Sequence, residues 1–266
     1  MNNIVIVVQA RLGSTRLPNK VLMPLSGKPL IIRMLERVSF SDMAHNVVVA
    51  VTNETDDDEL VELCEAEGYS VFRGSTNDLL DRHYQTGLKY NAEDIVKIPS
   101  DCPLIDPDII TRVIDFYVLN KNTYDYVSNL HPATYPDGND VEVMSMKVLY
   151  NAWNNSHKDF EREHTTPYLW ENPDRFKIGN VEWETGQNFS MSHRWTIDYL
   201  EDYLFIKEVF DSLYESNPRF GLNDILEYER NHPEVKALNS KYNGVNWYRN
   251  HLNELKTIKP DQTKVI

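Results

Sequence analysis

The first half of this 266-residue chain alternates between two hydrophobic patterns. Ile4–Val8 and Asn46–Thr52 are apolar runs without alternation, the pattern of strands buried on both faces of a parallel sheet. Between them, Pro29–Val38 brings Leu30, Met34, Leu35 and Val38 onto one helical face. Asp56–Glu67 predicts a second helix, with Leu60, Leu63 and Cys64 inward and Gly68 as its C-terminal cap. Tyr69–Phe72 reads as a short strand, Asn77–Tyr90 as a helix and Asp94–Ile98 as a strand. Asp106-Pro107 then opens a helix to about Leu119, with the aspartate as N-cap and the proline in the first turn. This βαβαβ order predicts an α/β fold with a mostly parallel, doubly wound sheet.

The second half breaks that rhythm. Tyr124–Ser128 reads as a strand, and Tyr135–Met144 as a turn running into an alternating strand, as in antiparallel pairing. Met146–Trp153, Glu161–Trp170, Tyr203–Tyr214 and Leu222–Asn231 read as helices. Lys177–Trp183 reads as extended, and Met191–Ile197 as a late strand leading to Asp198. No repeat or low-complexity linker interrupts the chain. The expected organisation is one domain over residues 1–256, with an antiparallel insertion at about 129–190 and a flexible polar tail over 257–266.

Charge sharpens this picture at one place. The chain carries 27 Lys+Arg against 41 Asp+Glu, a formal net charge of −14. That balance opposes nucleic-acid binding and attachment to an anionic membrane, both of which need a basic face. No apolar run approaches the ~20 residues of a membrane span. Met1 leads into a strand pattern rather than a secretory leader. Cys64 and Cys102 make no disulfide framework. The expected setting is cytoplasmic. Against this acidic background, Met1–Leu35 holds five bases (Arg11, Arg16, Lys20, Lys28 and Arg33) and no acid.

The stretch Gln9-Ala-Arg-Leu-Gly-Ser-Thr-Arg-Leu-Pro-Asn-Lys20 therefore puts a purely positive loop at the carboxyl end of the first strand. Ligands of open α/β sheets bind there. The charge points to a polyanion, most simply a nucleoside triphosphate. Gly13 permits a tight turn and close approach, and Ser14 and Thr15 offer amide and hydroxyl donors. Arg11 and Arg16 suit bidentate phosphate contacts, and Lys20 a point-charge contact. The GxxxxGK[ST] and GxGxxG patterns are absent, against a P-loop enzyme and a dehydrogenase. The histidines show no zinc-binding spacing.

The same loop resembles the signature of the cytidylyltransferases that activate acidic sugars, the CMP-Kdo and CMP-sialic acid synthetases. It is still closer to the SpsF-type cytidylyltransferases of polysaccharide biosynthesis. Leu80-Asp-Arg-His-Tyr84, Tyr135-Pro-Asp-Gly-Asn-Asp-Val-Glu-Val143, and Arg194-Trp-Thr-Ile-Asp198 before Glu201-Asp202 agree with that resemblance. It implies a Rossmann-like, GT-A-like nucleotidyltransferase fold, CTP and an acidic sugar as substrates, Mg²⁺ as cofactor, and a homodimer formed through the insertion.

Asp101 follows a buried strand directly, where a carboxylate suits Mg²⁺, although loop capping accounts for a lone Asp equally well. The resemblance implies that Asp101 and Asp198 are the metal ligands. It implies that Arg11, Arg16 and Lys20 act on the triphosphate and the leaving pyrophosphate. It assigns Gln9, Ala10, Gly13, Ser14, Thr15, Arg82 and Ser100 to the nucleotide, and Asp140, Glu142 and Arg194 to the acceptor. Taken as residues alone, Asp140 and Glu142 fit ordinary turn chemistry around Gly138, and Arg194 fits an acid pair. Two rival readings are a GT-A glycosyltransferase and a non-catalytic nucleotide-binding regulator. The first lacks its D-x-D pattern, since Ser100 precedes Asp101 and Pro103 follows Cys102. The second has no need of both Asp101 and Asp198.

Overall fold

The computed structural model describes residues 3–266. Strand β1 (Ile4–Gln9) lies inside the sheet, with Val5–Val8 fully buried. Ile6 and Val8 join one hydrophobic core, and Val5 and Val7 the core on the opposite face. This two-sided burial is why the run shows no alternation. A short antiparallel pair, β2 (Pro24–Leu25) and β3 (Lys28–Pro29), leads into α1 (Leu30–Ser39). Then come β4 (Val47–Thr52), α2 (Asp58–Ala66), β5 (Ser70–Gly74) and α3 (Leu79–Lys89). β6 (Asp94–Pro99) and α4 (Pro107–Leu119) follow.

The chain steps outward from β1 to β4 and β5, all parallel, and then crosses back to pair β6 with the other edge of β1. This reversal leaves a crevice beyond the carboxyl ends of β1 and β6, where Gln9 is paired with Pro99. Asp106 caps α4 as expected, accepting a hydrogen bond from the Asp108 amide at 2.7 Å.

β7 (Tyr126–Ser128), β8 (Glu142–Ser145) and β9 (Ile178–Asn180) extend the same sheet to seven strands, in the order β5-β4-β1-β6-β8-β7-β9. β8 runs antiparallel to both β6 and β7. The expected antiparallel segment is thus built into the main sheet. Between β8 and β9 lie α5 (Met146–Asn155), α6 (Asp159–His164) and α7 (Pro167–Trp170). The last helices are α8 (Leu200–Leu213), α9 (Leu222–Asn231) and α10 (Pro233–Ala237). Among the described residues, no helix is long and apolar enough to cross a membrane.

Three expectations change. Glu161–Trp170 is not one helix: Thr165 has φ +73°, and Pro167, which has no N–H, starts a new turn. Met191–Ile197 is not a strand. Its backbone bonds are divided between two loops, the Trp195 amide donating to Asp137 and the Ile197 amide to Asp101. The segment 257–266 is docked, not loose. The Glu171 carboxylate accepts from the Lys256 and Thr257 amides at 2.6 and 2.8 Å, Ile258 is buried in the second core, and the Lys264 amide donates to Gly244.

Candidate active site

The positive loop is pinned at its base and open at its tip. The Leu12 amide donates to buried Asp57 at 2.7 Å, and the Ala10 amide to Ala50 at 3.0 Å. Arg11, Gly13, Thr15 and Arg16 are exposed. Gly13 is not in the left-handed region, and a Cβ there would meet nothing within 4 Å, so the glycine leaves open space rather than enabling the turn. The left-handed residue is Asn19, at φ +57°, a conformation asparagine tolerates. It turns the chain inward and buries Lys20.

The Lys20 ammonium donates to the Ile197 carbonyl at 2.5 Å and lies 3.2 Å from Asp198 and 3.9 Å from Asp101. Arg16 meets the same Asp198 oxygen at 2.6 Å. The two aspartates, 97 positions apart in sequence, thus converge on one cation at the strand ends. The Asp101 carbonyl helps to join them, accepting from the Ile197 amide and the Thr196 hydroxyl, each at 2.9 Å.

Arg194 holds this arrangement from behind. It is buried, and its guanidinium pairs with Asp202 at 2.9 Å, Asp198 at 3.2 Å and Asp137 at 3.3 Å. Asp202, fully buried, also caps the start of α8 by accepting from the Asp198 and Tyr199 amides. Burial pushes the Asp198 carboxyl up, but Lys20, Arg16 and Arg194 outweigh it and hold the group below the usual range. Asp140 shows the opposite balance: burial, with Asp101 nearby, pushes it up to about 7.

A cavity of about 780 Å³ opens in front of these groups. Gln9, Arg16, Asp101 and Asp198 line it, together with Asp140 and Thr196. Its size suits a ligand larger than a single ion. Gln9, in its lining, has a buried side-chain oxygen without a partner. Other expected residues stand elsewhere. Arg82 is buried, with its donors spent on the carbonyls of Ser75, Ala50 and Thr76. Ala10 and Ser100 are buried under the loop, and the Ser100 amide donates to Gln9. Glu142 lines the cavity but is bound by Lys97 and by the Tyr126 hydroxyl at 2.5 Å. Asp202 lay in a segment that carried the resemblance but was given no role, and Lys97 had no motif to single it out. A buried lysine on a strand beside a glutamate strand is the signal that was available for Lys97.

The metal expectation can be tested on the donor set. Asp101 and Asp198 already embrace a cation, the Lys20 ammonium, and Asp101 keeps 35% of its side chain exposed. No group of three or more metal-binding side chains occurs among the described residues. Mg²⁺ is commonly held by one or two carboxylates together with phosphate oxygens, so the residues present fit it.

The cytidylyltransferase family model matches residues 5–236. The chain belongs to the cytidylyltransferase family. It is 30% identical to the spore coat polysaccharide biosynthesis protein SpsF of Bacillus subtilis (strain 168), over 88% of this chain and 97% of that protein. A cytidylyltransferase structure from Leptospira borgpetersenii superposes with a TM-score of 0.83 at 34% identity, covering 88% of this chain and 97% of that one. A CMP:2-keto-3-deoxy-manno-octonic acid synthetase complexed with CTP shares the fold, with a TM-score of 0.61 at 17% identity over 79% of this chain and 99% of that one. This cytidylyltransferase is accordingly a nucleotidyltransferase enzyme, and the glycosyltransferase and regulator readings fall away.

Proposed function

We propose that this enzyme transfers a cytidylyl group from CTP to a hydroxyl of an acidic sugar or sugar-like acceptor. The acceptor oxygen attacks the α-phosphorus in line, the bond to the β-phosphate bridge breaks, pyrophosphate leaves, and the hydroxyl proton passes to solvent. The observation that carries the reading is the convergence of Arg16 and Lys20 with Asp101 and Asp198 at the cavity. Arg16, 45% exposed, is free to exchange Asp198 for a phosphate oxygen, and Lys20 is fixed where negative charge collects on the departing pyrophosphate. Arg11 extends the positive rim. Asp101 and Asp198 would hold Mg²⁺, which when bound supplies charge neutralisation and orientation at the phosphates. Asp140, half-buried in the cavity, faces the acceptor.

The test is pyrophosphate release from each of the four nucleoside triphosphates with Mg²⁺, against a panel of acidic sugars and phosphorylated alditols. CTP should support release with at least one acceptor, and release should vanish on chelation. No release with any pair would overturn the reading. The homodimer is proposed on the resemblance, and sedimentation velocity giving a monomer at micromolar concentration would remove it.

A further inference from the structure

The family match ends at residue 236, yet the chain beyond it returns to the cavity. Asn246, Trp247, Tyr248 and Arg249 line it. This segment is fastened to the active-site network. The Val245 carbonyl accepts from Arg194 at 2.6 Å, and the Asn239 side chain donates to the Arg194 carbonyl and to Asp202. Trp247 stacks on His164 at 3.8 Å between ring centroids and stands 6.2 Å from Trp170. Burial lowers the His164 and His131 imidazoles to about 3 and about 4, so both are neutral near pH 7. This part of the lining is therefore aromatic, and its two imidazoles are uncharged.

The cations lining the cavity differ in what already binds them. Arg16 is paired with Asp198 and Lys97 with Glu142. Lys259 and Arg249 form no ion pair among the described residues, and of the two Arg249 is the one joined to Tyr199, next to Asp198. The Arg249 Nη2 donates to the Tyr199 hydroxyl at 3.3 Å, and its Nη1 is buried without a partner. Tyr199 follows Asp198 directly, and its ring lies 5.8 Å from the Arg16 guanidinium carbon. Arg249 thus stands beside the phosphate-binding end without an acid partner, in the lining of a cavity rich in carboxylates (Asp101, Asp137, Asp140 and Asp198). Arg249 is half-buried and carries no countercharge, and its planar fork suits a carboxylate or phosphate.

We infer that the C-terminal segment forms the acceptor subsite of this chain, with Arg249 binding the acceptor's anionic group and Trp247 covering its less polar face. The ligand class is a polyol bearing a carboxylate or a phosphate. The inference rests on the proposed function for the word acceptor, but the anion contact can be measured without it. Isothermal titrations of 2-keto-3-deoxy-manno-octonate, glycerol 3-phosphate and glucose, with and without CTP and Mg²⁺, should show one or both anions binding the native protein and glucose failing to bind. Arg249→Gln should weaken the anion at least tenfold, Arg249→Lys should restore part of it, and CTP affinity should stay within twofold in both variants. The stronger of the two anions identifies carboxylate or phosphate. Equal anion affinity in the native and Gln variants, or no anion binding to the native protein under either condition, would overturn the inference. Anion binding that depends on Arg249 in a protein that ignores CTP would instead remove the proposed function and leave the subsite standing.

Discussion

Lys20 is held by a carbonyl at 2.5 Å and faces two carboxylates, so its ammonium cannot wander toward solvent. A cation fixed in that way does more for charge that develops during reaction than for ground-state binding. Lys20→Ala should lower kcat by about 10²–10³-fold, a typical loss for one preorganised electrostatic contact, with a smaller change in KM for CTP. Steady-state kinetics decide this, and a raised KM with unchanged kcat would reassign Lys20 to uniform binding. At this scale the loop was legible because its charge contradicts the acidic composition around it. Arg82 and Arg249 could not be told apart in the sequence for one reason. Which cations are already satisfied depends on contacts such as Arg82 to Ala50 and Arg249 to Tyr199, which no local pattern encodes.

The junction of β6 and β8 carries a cross-strand pair, Lys97 opposite Glu142, both buried. Burial disfavours both charges, but mutual attraction and hydrogen bonding outweigh it, lowering Glu142 below its ordinary 4.5 and raising Lys97 above its ordinary 10.5. The sign of the pH dependence follows. A depressed carboxyl adds stability that is lost as pH falls through its folded value, and a raised ammonium adds stability that is lost as pH rises through its own. The pair's contribution is therefore whole between pH 4.5 and 10.5 and declines outside that window. Lys97→Met alone should cost about 3–5 kcal/mol, because Glu142 is left buried and unpaired. Lys97→Met with Glu142→Leu should recover most of that loss and flatten the acid limb. Urea unfolding from pH 3.5 to 8 reads both outcomes, and a double variant as unstable as the single one would contradict the argument. The strands of the first half were legible because two-sided burial demands unbroken apolar runs. Residues 191–197 misled because Trp195 and Ile197 are buried like strand residues while their amides bond to loops.

At the scale of the whole molecule, composition points to a compact domain with a loose end, and the structure ties that end in. Leu255 and Ile258 are buried in the second core with Leu169 and Trp170, and the Glu171 carboxylate accepts from the Lys256 and Thr257 amides. A polar sequence hid this, since the anchors are two isolated apolar residues and a carboxylate some 85 positions earlier. Burying the two side chains contributes about 3–6 kcal/mol, part of it offset by the ordering of the segment. For a chain of this size, a net loss of about 2–3 kcal/mol lowers Tm by roughly 5–10 °C. Deleting residues 255–266 should produce such a drop, and calorimetry of the full chain should show a single transition. Because the same segment braces the stretch just before Arg249, with Asn246 donating to the Gln262 carbonyl and the Lys264 amide to Gly244, the deletion should also weaken anion binding more than CTP binding. Removal by limited proteolysis with no change in Tm would mean that the tail is an appendage, and the wall that includes Arg249 would then have to be held by residues before 255.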